Sequence, residues 1–99
     1  MCHKFYKKGT HIEEIEDVLK AILRQIKIPY PNNITDLVFL ALENNPTYLK
    51  QYKTYANEDT HIANAMIGKF VKNYTGMKVI GTCKNPRSKL IKSYTKLGY

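Results

Sequence analysis

Cysteine is nearly absent from this 99-residue chain: Cys2 and Cys83 are the whole supply. That is too few for the disulfide framework that staples small secreted domains. No apolar run approaches the ~18 residues that a membrane span needs. Nothing near the first residues reads as a secretory signal. A cytoplasmic chain with no membrane contact is therefore expected. Glycine is sparse and scattered, at Gly9, Gly68, Gly76, Gly81 and Gly98, so no phosphate-cradling loop is present. There is no Cys-x-x-Cys and no His-Glu-x-x-His, so no zinc site is signalled. The length leaves room for one domain.

The most informative deficit is of acid. Residues 60–99 contain no Asp or Glu, but hold Lys69, Lys72, Lys78, Lys84, Arg87, Lys89, Lys92 and Lys96. Residues 1–59 carry eight basic and eight acidic side chains, so the net charge of +8 belongs entirely to the last 40 residues. A surface serving solubility alone intersperses the two signs. A one-signed half attracts polyanions, of which nucleic acid is the commonest inside a cell. A lysine-rich coding bias explains many lysines but not the missing acids.

Residues 1–9, with Lys4, Lys7 and Lys8, have no period and read as a flexible basic arm ahead of a single helical domain over 10–99. Thr10 and Glu13 form a capping-box pattern. Ile12, Ile15, Val18, Leu19, Ile22, Leu23 and Ile26 then make one stripe at helical spacing, ended by Pro29 and Pro31. Asn33 or Thr35 can cap a second helix through Leu37–Leu42, apolar on every side and so expected at the centre. Asn45-Pro46 reads as N-cap and first residue of a third helix, with Tyr48, Leu49, Tyr52, Tyr55 and Ala56 inward. Asp59 or Thr60 caps a fourth, with Ile62, Ala63, Met66, Ile67, Phe70, Val71 and Tyr74 inward and Gly76 placed to stop it. The tail fits two patterns. Leu90, Ile91, Tyr94 and Leu97 match a helix capped by Asn85 or Ser88, the slightly better fit. The alternation over 90–94 also matches the returning strand of a hairpin that starts at Lys78–Thr82. The core expected from these stripes is Ile15, Leu19, Ile22, Ile26, Leu37, Leu40, Leu49, Tyr52, Ile62, Met66, Ile67, Phe70 and Tyr74.

Catalytic and metal chemistry find little support. Cys2, His3, His11, His61 and Cys83 lack ligand spacing. Cys83 with a His61 base has no third orienting group. Glu13, Glu14, Glu16 and Asp17 crowd the first turns of a helix, where carboxylates favour the macrodipole. The chain is read as not an enzyme, with no cofactor and no metal.

The short connection between the third and fourth helices suggests a helix-turn-helix. With the stripe inward, the opposite face of the fourth helix carries His61, Asn64, Ala65, Gly68, Lys69, Lys72 and Asn73. Ala65 and Gly68 let a backbone approach DNA, Asn64 can pair with adenine, and the lysines can reach guanine or phosphate. Lys78, Lys84, Arg87, Lys89 and Lys92 extend the basic surface. In addition, Tyr48–Tyr55 (Tyr-Leu-Lys-Gln-Tyr-Lys-Thr-Tyr), Ile67-Gly68-Lys69-Phe70-Val71-Lys72 and Gly76-Met77-Lys78 resemble the winged-helix domain that ends phage and plasmid primase–helicases. The resemblance implies winged-helix DNA binding through Gly68, Lys69 and Lys72, with 84–89 as the wing. These 99 residues hold no primase or helicase motor, so the architecture is carried over and the replication role is not.

The expectation is a mainly α single domain, a small helical bundle with a helix-turn-helix and a possible C-terminal hairpin wing. Its expected role is non-catalytic nucleic-acid binding, duplex DNA favoured, as a small regulator or accessory protein of a phage or mobile element. The competing reading is a protein-binding inhibitor or adaptor, for example a phage anti-defence protein. Its basic half would dock on an acidic or nucleic-acid-binding surface. Either reading leaves room for a homodimer.

Overall fold

The computed structural model describes residues 12–57 and 59–99. Their order is α1 (Ile12–Arg24), α2 (Ile34–Asn44), α3 (Pro46–Ala56), α4 (Thr60–Thr75), β1 (Lys78–Cys83) and β2 (Tyr94–Gly98). Over the described residues the chain is thus a mainly α single domain of four helices with an antiparallel hairpin near its C-terminus. The arm at 1–9 and the Thr10 cap lie outside the described residues.

Local chemistry sets most of the boundaries. Asn45 accepts hydrogen bonds from the Thr47 and Tyr48 amides, both at 3.0 Å, and Pro46 follows it at a position where no amide donor is needed. Asn57 closes α3 in the left-handed conformation (φ 46°), which Asn tolerates better than most residues. Asp59 Oδ1 accepts from the Ile62 amide at 3.1 Å and caps α4. Gly76 ends α4 at φ 73°. Asn33 stands at the N-cap of α2 but makes no side-chain cap bond. Helix α1 stops at Arg24, short of the prolines, as Gln25 and Ile26 tighten onto the Ile22 and Leu23 carbonyls.

The core is built from Ile15, Leu19, Ile22 and Leu23 of α1, Ile34, Val38, Phe39 and Leu42 of α2, Tyr52 of α3, Ile67 and Val71 of α4, and Met77 and Leu97 at the hairpin. Each such side chain stabilises the fold by roughly 1.5–3 kcal/mol through burial. Helix α2 touches every other helix and β2, so its place at the centre is as expected. Four expectations need correction. Ile62 and Tyr74, expected in the core, are 49% and 40% exposed. Helix α4 buries Ala63, Ile67 and Val71, a strip narrower than its apolar pattern. Leu37, Leu40 and Met66 are half-buried, as are Ile26, Leu49 and Phe70, which still pack against the core. The tail is not a helix: Tyr94–Gly98 is a strand, and 84–93 is an irregular loop.

The hairpin pairs Lys78 with Gly98, Val79 with Leu97, Gly81 with Lys96, Thr82 with Thr95 and Cys83 with Tyr94. Ile80 is the extra residue of a bulge, which turns both Val79 and Ile80 toward solvent. The far edge of β2 is covered by the segment between α1 and α2. Leu97 donates its amide to the Asn32 carbonyl at 3.1 Å, and Asn32 Nδ2 donates back to the Leu97 carbonyl at 2.6 Å. The Tyr30 amide donates to the Tyr99 hydroxyl at 2.7 Å. Backbone groups that would otherwise form an open edge are thereby paired.

Candidate nucleic-acid interface

Three residues, 57–59, separate α3 from α4, and the hairpin follows α4 directly. Helix α4 has 16 residues, a length of about 24 Å at the usual helical rise. Its solvent face carries His61, Ala65, Lys69, Lys72 and Asn73, all exposed. Gly68 is half-exposed, and a Cβ added there would meet nothing within 4 Å. The backbone at 65–68 is therefore open to close approach. Asp59 puts a carboxylate at the N-terminus of α4, already engaged by the Ile62 amide. That end is unsuited to holding a phosphate, so the side of the helix is the usable surface.

Asn64 does not belong to that face. Its Oδ1 accepts from the Tyr52 hydroxyl at 2.6 Å, and its Nδ2 donates to the Leu90 carbonyl at 3.1 Å. Tyr52 is buried in the core, and burial pushes its phenol above the ordinary range. An amide with both ends so occupied is a poor base reader, which corrects the expected role. It ties α3, α4 and the loop 84–93 together, and sets Leu90 beside the N-terminal half of α4.

The loop holds Lys84, Arg87, Lys89 and Lys92, all exposed. Its backbone is pinned from beneath by two carboxylates of α2. Asp36 Oδ2 accepts from the Arg87 amide at 2.8 Å and Asp36 Oδ1 from the Ser88 amide at 3.0 Å. Glu43 Oε1 accepts from the Lys89 amide at 2.7 Å and the Ser88 hydroxyl at 3.0 Å. The Leu90 amide donates to Ser88 Oγ at 3.1 Å. Lys78 on β1 and Lys96 on β2 are also exposed, so all eight cations of residues 60–99 face solvent.

At the root of the loop, Cys83 and Tyr94 face each other across the hairpin. The bond to Tyr94, helped by the Asn85 amide, holds the Cys83 thiol below its ordinary range. The same bond pushes the Tyr94 phenol up to about 12. Cys83 therefore already has its partners in Tyr94 and Asn85. Among the described residues no three His, Cys, Asp or Glu side chains form a metal-holding group, and no helix is long and apolar enough to cross a membrane.

Sequence reasoning missed Asp36, Glu43 and Ser88. Asp36 and Glu43 did leave a signal, as the two acids that bracket the apolar run 37–42 of α2, where a carboxylate needs a partner. Ser88 left none. No protein-family model, no curated protein and no solved structure matches the chain, so a functional reading has to stand on the chemistry of its own surface.

Proposed function

We propose that the chain is a non-catalytic nucleic-acid-binding domain that lays the outer face of α4 and the loop 84–93 against duplex DNA. One observation carries the reading: eight cations and no acid lie in residues 60–99, and every one of those cations is exposed. The shape is compatible with it. A helix about 24 Å long with small residues at its middle fits a major groove about 12 Å wide. The order helix, short turn, helix, hairpin is the order that the winged-helix resemblance implied. Lys69 and Lys72 serve as phosphate contacts, His61 and Asn73 are the groups left to meet base edges, and the loop cations take the place of a wing.

The decisive measurement is fluorescence anisotropy of labelled duplex DNA, single-stranded DNA and structured RNA across a salt series. Duplex affinity should fall log-linearly with salt, with a slope near −0.9 per phosphate contacted. Lys72→Ala should shallow that slope by roughly one unit. Lys20→Ala, on α1, should leave it unchanged. Equal losses from both would reduce the surface to a diffuse cation and remove support for α4.

A second reading is favoured by one feature. Val79 and Ile80 are 55% and 56% exposed on β1, inside the cationic half, and Ile62 is exposed on α4. Large apolar side chains among lysines suit a protein partner with an acidic rim, as an inhibitor or adaptor would need. Absence of binding to any nucleic acid at low salt would select this reading.

A further inference from the structure

We propose that Asp36 and Glu43 are positioning residues for the basic loop, so that nucleic-acid affinity depends on two carboxylates whose charge opposes binding. The inference rests on the proposed function. Ten residues without regular structure, 84–93, link β1 to β2 and carry four exposed cations. Left to itself such a segment samples many conformations and holds no fixed charge spacing. Here three consecutive amides, Arg87, Ser88 and Lys89, are all donated to α2 carboxylates seven residues apart, on one side of the helix two turns from each other. Hydrogen bonds to an ionised acceptor are among the stronger ones available. The Leu90 carbonyl is held in turn by Asn64 of α4. Every anchor acts on backbone or on Ser88, which leaves the four cationic side chains in solvent.

The burial of Asp36 argues the same way. It is 1% exposed and stands in the first turn of α2, where the macrodipole favours a negative charge. A carboxylate so deep must be bonded on both oxygens, and the two amides that satisfy it both come from the loop. Loop and carboxylate therefore hold each other in place.

Charge and position predict opposite signs. If Glu43 acted only as a charge, Glu43→Met would raise the net positive charge and tighten binding to DNA. As a positioning residue, it takes the acceptor Oε1 with it when lost, which frees the loop and weakens binding. The test uses the full chain and a labelled 20-base-pair duplex of random sequence, titrated across a salt series. Glu43→Met should weaken binding by roughly eightfold at 0.1 M salt, the counterion-release value of one phosphate contact, and shallow the slope by about one unit. Glu43→Gln, which removes the charge but keeps an amide oxygen as acceptor, should not weaken it to that extent. Ser88→Ala, which removes a bond to Glu43 without changing any charge, should act in the same direction as Glu43→Met. Lys89→Ala should weaken the wild type severalfold and have little further effect in the Glu43→Met background. A thermal melt of each variant separates loss of the loop from loss of the fold, and Ser88→Ala stands in if Glu43→Met unfolds. Wild-type binding with Glu43→Met equal or tighter would overturn the inference alone, as would an undiminished Lys89→Ala effect. A wild type that binds no duplex at low salt would overturn the proposed function instead.

Discussion

Replacing Asn64 by Ala separates the two roles that this residue can have. On a solvent face, the change would cost within about 0.5 kcal/mol in stability. In the observed geometry it removes the acceptor of the Tyr52 hydroxyl, 2.6 Å away, and the donor to the Leu90 carbonyl. Tyr52 is 2% exposed, so its hydroxyl has no easy recourse to water. A donor stranded in this way costs about 1–3 kcal/mol, and the Leu90 bond adds roughly 0.5–1 kcal/mol. A total of about 2–3 kcal/mol should lower the melting temperature by roughly 10–20 °C for a chain of this size. Urea titration followed by circular dichroism gives the free energy directly. Tyr52→Phe removes the same bond and keeps the ring, so it should cost about 1 kcal/mol. The double mutant should then show a coupling energy above about 0.5 kcal/mol. If Asn64→Ala costs less than about 0.5 kcal/mol, the amide is free and the argument for its inward role collapses.

Leu19→Ala should destabilise by roughly 2–5 kcal/mol, whereas Ile62→Ala should stay within about 0.5 kcal/mol; comparable losses in a denaturation series would contradict the placement of the core. Alkylation of Cys83 by iodoacetamide should have its pH midpoint below that of a free thiol. The Tyr94 phenol keeps its proton until about pH 12, so it can donate to the thiolate throughout that titration; Tyr94→Phe should move the midpoint up, and identical midpoints would refute the pairing. Glu16, which lines a groove with Met66 and Phe70 of α4, makes no part of the loop anchor. Removing its charge by Glu16→Gln should tighten duplex binding about twofold, the value of one unit charge some 10 Å away in water, and weakened binding in an anisotropy titration would count against the proposed face.

What could be read from the sequence was local. The existence of helices α1 and α4, the Asn45-Pro46 start, the Asp59 cap and the Gly76 stop depend on groups within four residues of one another, and the structure has each of them. What was missed depends on distant partners. The apolar pattern of α4 spans Ile62 to Tyr74, but that width leaves the rotation of the helix open. The observed rotation buries Ala63, Ile67 and Val71 and turns Asn64 to partners 12 residues before it and 26 after it. The tail followed the same logic. Leu90, Ile91, Tyr94 and Leu97 have helical spacing, yet Tyr94 and Leu97 are held by Cys83 and Val79 across the hairpin, and Leu97 also by Asn32. Local periodicity was overridden by pairing across the sheet.

The acids of the charge-neutral half do three different things once folded, and this limits what net charge alone can say. Glu13, Glu14 and Asp17 are exposed in the first half of α1, where carboxylates favour the helix macrodipole. Asp59 is spent on a helix cap. Asp36 and Glu43 are turned inward beneath the cationic loop and bonded to its backbone. A carboxylate that accepts amides spreads its charge into those bonds and faces away from an approaching polyanion, while the lysines it orders face outward. The field of the basic half is therefore not simply +8 weakened by nearby acids. The two acids closest to the loop cost some long-range attraction and in return fix the spacing of Lys84, Arg87, Lys89 and Lys92. Spacing matters more at contact, because phosphates on a duplex strand recur at fixed intervals and a cation out of register displaces no counterion. If the domain binds duplex DNA as proposed, its affinity is governed by how rigidly its cations are held, and the same sequence with a free loop would be an equally charged but weaker binder.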